Sequence, residues 1–96
     1  MSDLGDLIVT LASNDAGARL EAAQQLAGLG EDARPAAVAL VDALPTADEE
    51  LQAWLVETLE NLGPPADEDI PRLADRLEDP NELVAYWACT LLGRSG

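Results

Sequence analysis

Histidine and lysine are both missing from this 96-residue chain, and so is phenylalanine. Without His, the usual general base and the usual transition-metal ligand are gone, and no convincing catalytic set assembles from what remains. No metal or cofactor is expected. The single cysteine, Cys89, excludes an intramolecular disulfide and a cysteine metal cluster. With no His or Lys to lower its pKa, it reads as a small buried apolar residue beside a core stripe. The cations are five arginines against nineteen carboxylates, a formal net charge of −14. Gripping a phosphate backbone or an anionic membrane surface needs cations, so neither nucleic acid nor membrane is an expected partner. A basic partner, or simply solubility, fits better. No apolar run reaches membrane-span length, and the N-terminus lacks a basic segment followed by an apolar one. The expected compartment is the cytoplasm.

What is present is helical. Nearly half of the residues are apolar, chiefly Ala, Leu and Val, which argues against disorder and favours helices over a sheet. Leu4, Leu7, Ile8 and Leu11 predict a first helix. A second follows from Ser13 to about Leu29, with the stripe Ala18, Ala22, Leu26 and Leu29, and Gly30 ends it. After a polar connector from Glu31 to Pro35, Ala37, Leu40, Val41 and Leu44 give a third. Thr46 and Glu49 form a capping-box pair for a fourth, which buries Leu51, Leu55, Leu59 and Leu62 and stops at Gly63-Pro64-Pro65. Ile70, Leu73, Ala74 and Leu77 give a fifth. Asp79, Pro80 and Glu82 open a sixth, striped by Val84, Ala88 and Leu92.

These segments repeat every 33 residues. Leu7, Leu40 and Leu73 share that spacing, as do Leu11, Leu44 and Leu77, and Leu26, Leu59 and Leu92. The stops Gly30, Gly63 and Gly96, the expected caps Ser13, Thr46 and Asp79, and the residues Asp15, Asp48 and Asn81 follow it too. The chain therefore reads as one domain of three helical-hairpin repeats, residues 1–30, 31–63 and 64–96.

The stretch Ile70-Pro-Arg-Leu-Ala-Asp-Arg-Leu-Glu-Asp-Pro-Asn-Glu-Leu-Val-Ala, with Ala23-Gln-Gln-Leu-Ala-Gly-Leu-Gly30, resembles the HEAT repeat. The likeness covers the whole chain and is greatest to short bacterial repeats and those of phycobilisome lyases. It implies an all-α fold, a right-handed α-solenoid of three hairpins and six helices. The Arg common after the turn of such repeats is present as Arg19 but replaced by Gln52 and Ala85, so the arginine–aspartate ladder of the family is absent. The family is mostly one of protein-binding scaffolds, with a minority of lyases that act on tetrapyrroles.

The acidic clusters Asp48-Glu49-Glu50 and Asp67-Glu68-Asp69 lie at helix starts, where carboxylates favour the dipole. They lack the glycine turn and alternating ligands of a calcium loop. The more informative column is Glu21, Trp54 and Trp87. By the resemblance, second helices line the concave face, where Gln24, Gly28, Glu50, Glu57, Asn61, Leu83, Thr90 and Arg94 are neighbours. Two tryptophans among carboxylates could grip a basic, partly apolar partner, or both indoles could pack across the seams between repeats. The last helix is apolar around most of its circumference, so Leu83, Tyr86, Trp87 and Leu91 are expected to self-associate as a two-fold dimer, unless the chain is a piece of a longer solenoid. The expected function is a non-catalytic scaffold or adaptor. The alternatives are a lyase-like handler of tetrapyrroles and an acidic mimic of nucleic acid, its charge spread as −3, −7 and −4 over the three repeats.

Overall fold

The computed structural model describes residues 3–95, and all the regular structure in them is helical. In chain order these are α1 (Leu4–Leu11), α2 (Ala16–Leu29), α3 (Ala37–Ala43), α4 (Glu49–Asn61), α5 (Ile70–Asp75) and α6 (Glu82–Arg94). Four 3-10 turns, Gly30–Ala36, Leu44–Thr46, Asp67–Asp69 and Arg76–Glu78, lie between them. The first lies where a polar connector is expected; its tighter winding carries Pro35 into α3 without a chain break. Gly30 and Gly63 end their helices at φ +58° and +77°, the left-handed region where glycine has no Cβ penalty. Gly96, the third stop of the register, lies outside the described residues.

The helix starts fall two residues later than the capping-box reading places them. Asp15, Asp48 and Asn81 are the N-caps, accepting from the amides of Ala18 (3.1 Å), Leu51 (2.8 Å) and Val84 (3.1 Å). These three also stand 33 residues apart, so the periodicity was legible while the column was displaced. The residues expected to cap are held otherwise. Ser13 Oγ and Asp79 Oδ1 accept from the amides two residues on, closing small turns. Thr46 Oγ1 accepts from Arg19.

Neighbours in sequence pack as pairs: α1 with α2, α3 with α4, α5 with α6. The most extensive contact of all runs between α2 and α4, where Ala22 and Ala23 let two backbones come close. No comparable approach joins α4 and α6; α6 settles instead against α3 and the turn after it. Leu7, Leu40 and Leu73 are all buried, as are Leu26, Leu55, Leu59 and Leu62. The expected stripe fails at Leu29, which is 40% exposed, and at the third pair, where Leu77 and Ala74 are exposed and Leu92 only half-buried, no described element packing over them. The molecule measures 34 × 26 × 18 Å.

Candidate interaction face

Helix α4 owes its position to its inner side. Leu51, Leu55, Thr58 and Leu59 are buried, and the Thr58 hydroxyl is satisfied by donating to the Trp54 carbonyl at 2.8 Å. With that side fixed, 3.6-residue periodicity turns Glu49, Gln52, Ala53, Val56, Glu57 and Glu60 outward together. Along them, with Trp54 at one edge, runs a shallow groove of about 770 Å³. Trp54 and Val56 are half-buried, so part of each apolar surface faces the groove, while Glu49, Glu57 and Glu60 stand exposed around it. Such a face offers apolar area to a partner and a carboxylate rim to its cations.

Of the expected concave-face residues, Trp54 and Glu57 meet in this groove. Glu21, Glu50 and Asn61 are exposed but do not line it, and the Asn61 amide donates to the Glu57 carbonyl at 3.0 Å. Trp87 is not exposed beside Trp54. It is 4% exposed, packed in the core, with Tyr86 edge-on to it at 5.4 Å. α6 is turned so that Val84, Trp87, Ala88 and Leu91 face inward. Leu91 is likewise wholly buried, so among the residues expected to self-associate only Tyr86 is exposed and Leu83 half-exposed. Cys89, expected inside, is exposed, on the side of α6 away from Val84, Trp87, Ala88 and Leu91.

Arg94 serves structure. Its guanidinium lies over the Trp87 ring, 5.8 Å from the centroid, and donates to the Leu59 carbonyl at 2.7 Å and more weakly to those of Glu60 and Gly63. A cation thus meets the carbonyls left free at the end of α4, where the helix dipole is negative. Arg19 does more. It is 9% exposed, and no carboxylate pairs with it. Instead it donates from Nε to the Leu11 carbonyl (3.0 Å), from Nη1 to Thr46 O (3.3 Å), and from Nη2 to Ala43 O (3.2 Å) and Thr46 Oγ1 (2.8 Å). These carbonyls end α1 and α3, and two helix C-termini, each worth roughly −0.5 of a charge, together balance one guanidinium. Resemblance to a repeat pattern singled out Arg19; no side-chain pattern announces backbone oxygens as its partners. A cleft of about 640 Å³ opens beside it between the ends of α1 and α3.

Asp42 holds Arg76 in a two-pronged pair, 2.6 Å to Nε and 2.8 Å to Nη2, and is the only carboxylate in an ion pair among the described residues. Asp69 is 6% exposed, and its carboxyl titrates above the usual range, because burial disfavours its charge and Glu68 adds repulsion against a partial offset from Arg72. Among the described residues no group of three or more Cys, Asp or Glu is arranged to hold a metal ion, and no helix is long and apolar enough to cross a membrane. No family model, curated protein or solved structure matches the chain.

Proposed function

We propose that this chain is a non-catalytic, cytoplasmic binding module, a HEAT-like solenoid of three hairpins, that takes a basic amphipathic protein segment along α4 and self-associates through its last helix. The observation that carries the first part is the α4 groove: Trp54 and Val56 supply apolar surface between Glu49, Glu57 and Glu60, with no cation lining it. A segment with Leu on one side and Arg or Lys beside it would bury the apolar part and meet the carboxylate rim, with cation–π contact to the indole. Titrating a synthetic Leu/Lys amphipathic helix into a Trp87→Phe background, where Trp54 is the sole indole reporter, tests it. Binding at about 1–10 µM is expected, falling about tenfold on Trp54→Ala. A Leu/Glu helix of equal length should not bind. Silence of Trp54 emission and heat up to about 1 mM Leu/Lys peptide would remove the reading.

The acidic-mimic reading draws on a different observation, a net charge of −14 with a single carboxylate in an ion pair among the described residues. A mimic's complex with a nucleic-acid-binding protein would collapse on adding salt, whereas a tryptophan-anchored one would keep most of its strength.

A further inference from the structure

Glu49, Ala53, Val56 and Glu60 follow one another on α4 at steps of four, three and four residues. At about 100° per residue they fall on a single line down the helix. All four line the groove. Read along that line, the surface is carboxylate, methyl, isopropyl, carboxylate. Both glutamates and Ala53 are exposed, and Val56 is half-buried. Gln52 flanks the line on one side, and Glu57 flanks it on the other, towards Trp54.

The two end carboxylates are not committed elsewhere. Neither takes part in an ion pair among the described residues. Arg94 donates to the Glu60 backbone carbonyl at 3.4 Å and not to its carboxylate. The apolar middle is short, so the charges and the spacing together define what fits. Ala53 and Val56 lie about 4.5 Å apart along the helix axis, and the two carboxylates about 16 Å apart. An extended strand repeats side chains on one face only every 7 Å or so, which overshoots the apolar pair. A second helix laid alongside has the same rise as α4 and matches both distances at once. Its residues at i+4 and i+7 would cover Ala53 and Val56, and those at i and i+11 would meet the glutamates. This pattern is unchanged when reversed, so it fits with the bound helix running in either direction.

We infer that Glu49 and Glu60 form a clamp that selects, among basic amphipathic helices, those with two basic residues eleven apart and two aliphatic residues between them at i+4 and i+7. The inference rests on the α4 reading above and gives its partner a sequence pattern. A helix apolar along its whole face would press aliphatic groups onto both carboxylates. One basic along its whole face would strip water from cations above Ala53 and Val56.

The test compares two blocked Ala-rich helices of about 16 residues and identical composition. Both carry Leu at i+4 and i+7; one carries Lys at i and i+11, the other at i+2 and i+9, on the opposite face. By calorimetry on the unsubstituted chain the first should bind about fivefold more tightly, and the difference should shrink on adding salt. Glu60→Lys should remove about threefold of that affinity. It should regain the loss when one of the two Lys of the peptide is exchanged for Glu. Its circular dichroism should be that of the parent, because Glu60 is exposed. Equal affinity of the two isomers overturns the clamp while the α4 groove stands, and so does a Glu60→Lys deficit that the exchanged peptide fails to regain. Failure of both isomers and of the Leu/Lys helix to bind removes the α4 reading, and the clamp with it.

Discussion

Arg19 concentrates more of the fold into one side chain than any other residue. Truncation to Ala leaves the carbonyls of Leu11 and Thr46 without this donor, and that of Ala43 with only the long Thr46 hydroxyl contact, in a mostly buried place. Arg19→Ala should therefore destabilise by about 2–4 kcal/mol, read from the urea midpoint at constant m-value. Arg19→Lys should recover little of it, because one ammonium cannot reach oxygens spread around a planar fork. Asp69 acts in the opposite sense. Its folded pKa lies above 3.8, so between the two values the native state binds more protons than the unfolded chain. The stability this contributes is present below the unfolded value and lost as pH rises through the folded one. Asp69→Asn should be at least as stable as the parent at pH 7 and show a flatter dependence of melting temperature as pH rises from the ordinary aspartate value.

At the scale of the element, the helix caps separate two readings of one segment. If Asp48 caps α4, Asp48→Ala costs about 1 kcal/mol through the orphaned Leu51 amide. Thr46→Ala should instead weaken the Arg19 joint, and its effect should vanish in an Arg19→Ala background. A double-mutant cycle by thermal melting checks both. Much at this scale was legible beforehand. Stripes of Leu at helical spacing, Gly stops and Asp, Ser and Thr starts are local signals, and the segments they mark are the observed helices. The caps were placed two residues early because Ser13, Thr46 and Asp79 are good cap residues by type. Choosing between them and Asp15, Asp48 and Asn81 depends on where the backbone leaves its extended conformation, which composition does not encode.

Over the whole molecule the charge is unbalanced: nineteen carboxylates, five arginines, and one ion pair among the described residues. Self-repulsion of this kind is screened by salt. Raising NaCl from about 20 to 500 mM should raise the melting temperature, and an equal osmolarity of sucrose should not reproduce the slope between those points. The candidate site was only partly legible. Trp54 and Glu57 line one groove on α4, Trp87 and Leu91 are core, and Cys89 is surface. α6 buries Val84, Ala88 and Leu91 at the positions where α4 buries Leu51, Leu55 and Thr58, and adds Trp87, while Cys89 faces outward as half-buried Val56 does.

The all-helical class, the stops at Gly30 and Gly63, the 33-residue spacing and the buried leucines Leu7, Leu40 and Leu73 follow from periodicity and local chemistry, which a single chain carries in its letters. The burial of Trp87, the exposure of Leu77 and the oxygens that hold Arg19 were decided only by tertiary structure. Each depends on which neighbour lies alongside: α2 has α4 against it, no described element packs over Leu77, and the carbonyls at two helix ends come together only once the helices pack.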